Sequence, residues 1–312
     1  MKFFSFLLIS IFLFSLNVHA DYVVLSQGVV IEGEEIHRTQ SIASITKIMT
    51  AIIALENASV DEEIIVNEEA VQQIGSSLYL KINEKYTLFS LLNGLLLRSG
   101  NDAAYLIAMH VGGSIENFAD MMNQKAKQLH MNETLFVNPS GLDETDGGNL
   151  SSVYDMALCM EYAMKNPVFQ IISSTRQYKA ENERVWINKN RLLNLYENCT
   201  GGKTGYTKLS GKTLVTSASL NGFETIVVSF REQDYFYLHK QLHENMYSKY
   251  DSVLLIPKGN YRIKNKTVEI KEDIRILAEK ESILDYEVRL NQNLTVRYKV
   301  LNEWIERSFD LT

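Results

Sequence analysis

The spacing of apolar residues changes twice along this chain of 312 residues, and that change constrains the fold more than any other feature. Residues 22–32 contain two short apolar runs around a glycine, a pattern that predicts a pair of strands. Between residues 44 and 164 the apolar side chains recur at three- and four-residue spacing, which is typical of helices. Strand patterns return at residues 201–206, 213–219 and 225–230. The sequence therefore predicts an α+β fold in which a helical block is inserted between strand regions.

Helix starts and a separate C-terminal region are also predicted. Ser44 stands at or near the start of one helix, and Thr87, Ser114 and Ser152 have the residue types that cap helix N-termini. A last helix is predicted over residues 235–250, and the short strand patterns beyond it predict a small β-rich domain. The predicted organisation is a leader at residues 1–20, a main domain at 21–252 and the β-rich domain at 253–312.

The leader has the pattern of a secretory signal peptide. Lys2 is its only charged residue, residues 3–16 are nearly all apolar, and the end at Ala20 resembles a small-residue cleavage site. The apolar run is short for a membrane span. We therefore expect an exported protein. The alternative is an uncleaved N-terminal anchor, which would hold the protein at the membrane.

Charge and composition exclude several kinds of function. The chain has 31 basic and 38 acidic residues and a net charge of −7, which argues against nucleic acid as a partner. Its six histidines show no H-x-H or H-E-x-x-H spacing, so we predict neither a metal site nor a cofactor. The two cysteines, Cys159 and Cys199, either form a disulfide or stay buried as small apolar side chains, and their spacing does not decide between these.

Ser44 and Lys47 form the first of three short polar motifs and lie one helical turn apart. A serine hydroxyl is a weak nucleophile until a base removes its proton, and a lysine acts as that base only when its pKa is lowered. Burial or a nearby cation lowers a lysine pKa, and Lys203 is the predicted cation. The alternative is a capping serine beside a surface lysine. The apolar Ile48 and Met49 indicate a buried helix with Lys47 at its solvent-exposed end.

Ser99 and Asn101 form the second motif, a short polar segment between two apolar helices. Such a segment projects polar groups into the cleft where the helices meet. Ser99 is a candidate to relay a proton between Lys47, Ser44 and a leaving amine, and Asn101 to hold Lys47 or a substrate peptide group. A plain helix–helix turn with serine and asparagine as capping residues explains the same residue types equally well.

Lys203, Thr204 and Gly205 form the third motif at the start of a predicted strand. A glycine here lets a substrate backbone approach closely. The backbone N–H groups of Tyr206 and Ser44 are candidates for an oxyanion hole, and Lys203 and Thr204 suit a substrate carboxylate. The alternative is a glycine-rich turn that leads into an edge strand. Together the three motifs supply a nucleophile, a base, a proton relay and an oxyanion site, the parts of an acyl-transfer centre.

With these motifs in this order, the sequence resembles the low-molecular-mass penicillin-binding proteins, the serine-type D-alanyl-D-alanine carboxypeptidases of peptidase family S11. The resemblance implies a β-lactamase/DD-peptidase-like catalytic domain, in which a helical subdomain packs against an antiparallel sheet. It also implies Ser44 as nucleophile, Lys47 as general base, and the second and third motifs as relay and substrate-binding groups. The matching blocks are residues 41–51, 95–104, 138–142, 188–193 and 201–218.

The resemblance implies an activity as well: removal of the terminal D-alanine from peptidoglycan stem peptides in the cell envelope, through an acyl-serine intermediate. β-Lactam antibiotics are then inhibitors that acylate Ser44. An endopeptidase that cuts peptide cross-links remains an alternative. A β-lactamase needs a water-positioning glutamate in an E-x-x-L-N pattern, which is absent between residues 101 and 203. A non-catalytic cell-wall-binding relative is a further alternative, and it predicts the erosion of at least one motif.

Two features depart from the resemblance. Many members of the family end in a long β-domain and an amphipathic helix that docks on the membrane. Here the β-region is shorter, and residues 302–312 have no extended apolar face with basic flanks, so no C-terminal membrane anchor is evident. Members often add an arginine or a hydroxyl after the third-motif strands to bind the substrate carboxylate, and Arg231 is the candidate in this chain.

Overall fold

The computed structural model describes residues 20–143, 147–263, 266–271, 273–290, 293–301 and 303–309. The predicted signal peptide lies outside these residues except for Ala20, and it stays a prediction. Within the described ranges, no helix combines the length and the apolar character that crossing a membrane requires.

Helices occupy the central part of the chain, as the sequence predicts. The side chains of Thr87, Ser114 and Ser152 each accept a hydrogen bond from the backbone N–H three residues later, which confirms these predicted N-caps. Ser44 differs, because it lies within a 3₁₀ turn and the α-helix begins three residues later. The helical elements are the 3₁₀ turn (Ala43–Thr46), α1 (Lys47–Asn57), α2 (Glu68–Val71), α3 (Leu88–Asn93), a π-helical turn (Gly94–Arg98), α4 (Asn101–Gly112), α5 (Ile115–Gln128), α6 (Val153–Ala163), α7 (Pro167–Ser174), α8 (Leu192–Leu195) and α9 (Tyr235–Lys249).

Strands form a five-stranded antiparallel sheet and several smaller ribbons. The strands are β1 (Asp21–Ser26), β2 (Val29–Glu34), β3 (Gln40–Ser41), β4 (Glu63–Ile65), β5 (Lys85–Thr87), β6 (Leu150–Ser151), β7 (Gln177–Lys179), β8 (Val185–Ile187), β9 (Cys199–Thr207), β10 (Gly211–Leu220), β11 (Phe223–Phe230), β12 (Tyr250–Ile256), β13 (Gly259–Ile263), β14 (Lys266–Ile270), β15 (Ile274–Glu279), β16 (Tyr286–Leu290), β17 (Leu294–Val300) and β18 (Glu303–Phe309). The main sheet has the order β2-β1-β11-β10-β9, so β1 lies beside a strand that follows the whole helical block. The predicted α+β class with an antiparallel sheet is confirmed.

The main sheet is buried on both faces. Val23 and Leu25 of β1 pack with the helical block, whereas Val24 packs on the opposite side with α9 and the C-terminal strands. Val228 and Val227 of β11 divide in the same way. A strand buried on both faces requires apolar residues at consecutive positions, because its side chains alternate between the faces. Burial of each such side chain stabilises the fold by about 1.5–3 kcal/mol.

Cys159 and Cys199 are both buried and unpaired. Cys159 lies on α6 in the core between the helices and the sheet, and Cys199 begins β9 in the core on the opposite side. The sheet therefore separates the two thiols, and the cysteines act as small apolar side chains. Burial raises the pKa of Cys199 to about 11 and raises the pKa of Cys159 further, so both stay protonated.

The C-terminal strands form three small antiparallel groups: β12 with β15, β13 with β14, and β16-β17-β18. Helix α7 in the main domain has no counterpart in the sequence-based prediction. Strand β12 follows α9 without a loop and extends across the predicted boundary between residues 252 and 253. Apolar residues of α9 share one core cluster with Ile276, Val296 and Tyr298. The division at that boundary stays a prediction.

Candidate active site

Ser44 is presented on a short turn that rests against the edge strand of the main sheet. Ala43 has a left-handed backbone with φ of 50°, a conformation that is strained for a residue with a side chain. The Thr213 hydroxyl fixes the turn by donating to the Ile42 carbonyl at 3.0 Å. Gly205 lies directly beside it, since an added Cβ at this position would lie 3.0 Å from the Ser44 nitrogen and 2.4 Å from Thr213 Oγ1. The first and third motifs therefore meet at this turn.

Lys47 lies at the centre of the site, with its side chain fully buried. The prediction of a solvent-exposed position is wrong, because the second motif and the loop at residues 138–142 cover this end of the helix. Its Nζ donates to Ser44 Oγ at 3.1 Å, to Asn101 Oδ1 at 2.8 Å and to the Ser140 carbonyl at 2.5 Å. A neutral amine has two hydrogens and one lone pair. With Asn101 and Ser140 accepting both hydrogens, the lone pair is left for the Ser44 hydroxyl.

The electrostatic surroundings of Lys47 favour this neutral form. Burial, with a smaller contribution from the positive charge of Lys189, lowers the pKa of Lys47 to about 7 against an opposing effect of Asp102. Burial also holds the pKa of Lys203 well below its usual value, and the charges of Lys47 and Lys189 add to this. Lys189 therefore lowers the pKa of Lys47, and Lys47 also interacts with Lys203, the cation that the sequence-based prediction named.

We expect the acylation rate of Ser44 to rise with pH through about 7, because the lysine accepts a proton only in its neutral form. The protonated form, with three donated hydrogen bonds and no lone pair, predominates below that pH. The measurement is the second-order rate constant for reaction with a penicillin between pH 5 and 9. A rate that is flat across this range, or that falls from pH 6 to 8, would contradict the assignment of Lys47 as the base.

The second motif lies between the π-helical turn and α4. Ser99 has a left-handed backbone with φ of 67°, and its buried Oγ has no hydrogen-bond partner among the described residues. A buried hydroxyl without a partner costs free energy, and a substrate in the cleft would supply the missing partner. Asn101 accepts a hydrogen bond from Lys47 and donates through Nδ2 to the Ile74 carbonyl at 2.6 Å, which fixes its amide orientation.

The third motif occupies β9, the edge strand of the main sheet. Lys203 is 1% exposed, and its Nζ donates to the Thr204 carbonyl at 2.6 Å. No acidic side chain in the described ranges pairs with this amine. Tyr206 is exposed at the end of the motif, and Gly205 between them adjoins the Ser44 turn. The structure thus brings all three predicted motifs to one place.

The structure adds residues to which the sequence analysis gave no role. Ser140 contributes its backbone carbonyl to Lys47, so its side-chain type gives no signal for this contact. Gly141 has φ of 75°, and an added Cβ there would lie 1.9 Å from the Ala43 carbonyl oxygen. The positive charge of Lys189 lowers the pKa of Lys47. The sequence contained one signal for these residues: Ser140, Gly141 and Lys189 all belong to blocks that resemble the family.

Other candidates lie outside the site. Arg231 donates through Nη2 to the Leu209 carbonyl at 3.3 Å, and no described contact joins it to the three motifs. His239 and His243 are fully buried on α9 and hydrogen-bond to threonine and serine hydroxyls of the main sheet. Burial lowers the pKa of His243 to about 3, so this imidazole is neutral. Within the described residues, no group of three His, Cys, Asp or Glu side chains is arranged to hold a metal ion.

Known proteins are similar to this chain in sequence and in fold. The model of peptidase family S11, described as D-alanyl-D-alanine carboxypeptidase, matches residues 17–233. The carboxypeptidase DacF of Bacillus subtilis is 35% identical over 197 residues, which cover 60% of this chain and 50% of DacF. DacB2 of Mycobacterium tuberculosis is 34% identical over 206 residues, which cover 65% of this chain and 70% of DacB2.

The crystal structure of the carboxypeptidase DacD from Francisella tularensis extends the match into the C-terminal strands. It superposes with a TM-score of 0.75 at 25% identity and covers 95% of this chain and 93% of DacD. The aligned part of this chain spans only about half the length of DacF. A family model that covers most of the chain and a neighbour that shares its whole architecture lead to one conclusion: this chain belongs to peptidase family S11, the D-alanyl-D-alanine carboxypeptidases.

Proposed function

We propose that this chain is a serine-type D-Ala-D-Ala carboxypeptidase that removes the terminal D-alanine from peptidoglycan stem peptides. The observation that carries the proposal is the position of Lys47, whose buried amine lies 3.1 Å from Ser44 Oγ and has a pKa of about 7. This is the arrangement that an activated serine nucleophile needs near neutral pH. Membership of the S11 family supports the same bond specificity.

The acylation step uses Lys47 as base. The lysine lone pair takes the hydroxyl proton as Ser44 Oγ attacks the carbonyl carbon of the penultimate D-alanine. The resulting oxyanion accepts hydrogen bonds from the backbone N–H groups of Ser44 and Tyr206. Ser99 relays the proton from the lysine to the departing amine, the C–N bond breaks, and free D-alanine leaves with an acyl-serine behind it. Water then attacks the ester by the reverse proton route and restores Ser44.

Recognition of the substrate C-terminus falls to the third motif. Lys203 is a buried amine without an acidic partner in the described ranges, and its pKa is held well below its usual value, so the terminal carboxylate of the substrate favours its charged form and pairs with it. The Thr204 hydroxyl adds a second hydrogen bond to that carboxylate. Strand β9 is the edge of the sheet, where a substrate backbone can lie alongside Gly205.

The proposed place of action is the cell envelope or the extracellular space. The S11 family acts on cell-wall peptidoglycan, and the leader at residues 1–20 has the pattern of an export signal. Stem peptides are the proposed substrates and β-lactams the proposed inhibitors. If the signal peptide is not cleaved, it holds the enzyme at the membrane.

Ser44→Ala should abolish the covalent adduct that a fluorescent penicillin forms with residues 21–312, because the variant has no hydroxyl to acylate. The adduct is measured by intact mass and in-gel fluorescence. Ser248→Ala is the matched control, since this serine is exposed on α9 and should leave adduct formation unchanged. D-alanine release from a diacetyl-L-lysyl-D-alanyl-D-alanine peptide then tests carboxypeptidase activity in the same samples.

Three other results of this experiment would each indicate a different function. Absence of an adduct in the parent protein, with the penicillin intact, would refute the enzyme and favour a wall-binding role. Rapid penicillin hydrolysis without an adduct would indicate a β-lactamase. An adduct without D-alanine release, together with cleavage of cross-linked dimeric muropeptides, would indicate an endopeptidase.

A further inference from the structure

The loop at residues 138–142 lies along the first turn of α1 and covers Lys47. Its Ser140 carbonyl accepts a hydrogen bond from Lys47 Nζ at 2.5 Å, and its Pro139 carbonyl accepts one from the Thr50 hydroxyl at 2.6 Å. Lys47 and Thr50 are three positions apart on α1 and therefore lie on the same face of the helix. The position of this loop thus decides whether the amine of Lys47 stays out of contact with water.

The side chain of Asn149 holds the first residues of this loop. Asn149 directly precedes β6 and is 2% exposed. Its Oδ1 accepts hydrogen bonds from the backbone N–H groups of Val137 at 2.7 Å and Asn138 at 3.1 Å. Its Nδ2 donates to the Asn138 carbonyl and to Thr46 Oγ1, each at 2.9 Å. A side-chain amide has two hydrogens and two lone pairs, and all four are used here.

The same residue also reaches both ends of the 3₁₀ turn that carries Ser44. Thr46, which accepts from Asn149 Nδ2, is two residues after Ser44. Ile42 is two residues before Ser44, and its backbone N–H donates to the Asn149 carbonyl at 3.4 Å. A buried polar group whose hydrogen bonds are all made gives a rigid connection. Asn149 therefore links the turn that carries the nucleophile to the loop that covers the base.

We propose that Asn149 is a positioning residue for acylation, which keeps the 138–142 loop closed over Lys47 and aligned with the turn that carries Ser44. The inference rests on the proposed function, because it concerns the rate at which Ser44 is acylated. Among the described contacts, Asn149 makes none with Ser44 Oγ or Lys47 Nζ. It acts through the loop, by holding the Ser140 carbonyl in place and by excluding water from the amine.

An opened loop would hydrate the amine of Lys47. Burial is the largest cause of its lowered pKa of about 7, so hydration raises the pKa towards the ordinary lysine value. Water replaces the Ser140 carbonyl as a hydrogen-bond acceptor, so the loss of that contact does not cancel the effect. Lys189, Asp102 and Lys203 interact electrostatically with the same amine. Replacing one neutral residue by another leaves those charges unchanged.

The test is the rate of acylation by a fluorescent penicillin between pH 5 and 9 in the full chain, for the parent protein and for Asn149→Ala. We expect the midpoint of the rise in rate to move upward by about one pH unit. The rate at pH 7 then falls about fivefold, whereas the rate at pH 9 stays within about twofold of the parent. A variant that only contains less folded protein loses the same fraction of its rate at both pH values.

Asn123→Ala is the matched control. Asn123 lies on α5 and holds the backbone just before the loop, because its Nδ2 donates to the Phe136 carbonyl at 2.7 Å and its Oδ1 accepts from the Phe136 N–H at 2.8 Å. No described hydrogen bond joins this asparagine to the turn that carries Ser44. The control variant should lose stability for the same chemical reason, yet retain the midpoint of the parent.

Thr46→Val is a second variant, which keeps the shape of the side chain and removes the hydroxyl that accepts from Asn149. It should move the midpoint in the same direction by a smaller amount, because the contacts between Asn149 and the loop remain. This variant tests the link if Asn149→Ala does not fold. Circular dichroism at each pH identifies a variant that is unfolded.

Two kinds of result would overturn the inference. A midpoint in Asn149→Ala that equals the parent value or lies below it, or an equal upward shift in Asn123→Ala, would refute the positioning role while acylation of Ser44 stands. Absence of a penicillin adduct in the parent protein at every pH would refute the proposed function, and the positioning role with it.

Discussion

Lys47→Met is expected to lower the rate of penicillin acylation by about 10³-fold or more, because it removes the base and keeps the nucleophile. Methionine fills most of the volume of the buried lysine side chain, so the core around it remains packed. Two acceptors, Asn101 Oδ1 and the Ser140 carbonyl, lose their donor, at a cost of about 1–3 kcal/mol each. Release of the buried amine from its desolvation penalty offsets part of that loss.

The measurement is a stopped-flow or gel-based acylation rate with a fluorescent penicillin, combined with a thermal melt. Lys127→Met is the matched control, because this lysine is exposed on α5 and the same substitution there should leave the rate unchanged. A folded Lys47→Met variant that acylates within tenfold of the parent rate would show that another group removes the serine proton.

Gly141→Ala is expected to be the most damaging glycine substitution near the site. Its Cβ would lie 1.9 Å from the carbonyl oxygen of Ala43, which is backbone of the nucleophile turn and cannot rotate away. The left-handed φ of 75° adds a further cost. We expect the free energy of unfolding to fall by about 3 kcal/mol or more. The acylation rate should fall by about 100-fold, since the turn that carries Ser44 must shift.

Gly113→Ala separates the two causes. Gly113 has the same φ of 75°, but an added Cβ there has no heavy atom within 4 Å. This variant should lose about 1–2 kcal/mol of stability from the backbone conformation alone and retain its acylation rate. The comparison uses urea unfolding and penicillin acylation for both proteins. If the two variants lose similar stability and both stay active, the close contact between the 138–142 loop and the nucleophile turn is not needed to hold Ser44.

Two lysines are buried in one cleft, and their lowered pKa values explain how such a site can be stable. Lys47 is tolerated because its pKa of about 7 makes it largely neutral above that pH. Lys203 is equally buried, and the positive charges nearby depress its pKa in the same direction. An arriving carboxylate reverses the balance for Lys203 and favours its charged form. Under the proposed function, the site gains a hydrogen-bonded ion pair when a substrate with a free C-terminus binds.

Much of this protein is determined by local sequence. The paired strands at the start, the caps at Thr87, Ser114 and Ser152, and the three strands after residue 199 follow from spacing and residue type, because these elements form contacts between near neighbours. The proximity of Lys47 to Ser44 also follows from local sequence, since the two residues are three positions apart. The order of the three motifs was sufficient to indicate an acyl-transfer centre and its family.

Other features were decided only by the tertiary structure. The full burial of Lys47 depends on Asn101 and Ser140, which lie 54 and 93 residues further along the chain. The separation of Cys159 from Cys199 depends on the sheet between them. Burial, and with it the shift in a pKa, is set by groups that are distant in sequence and adjacent in space, and no local pattern records them. The sequence thus predicts the reacting groups, whereas packing lowers the pKa of Lys47 to the value that the proposed base requires.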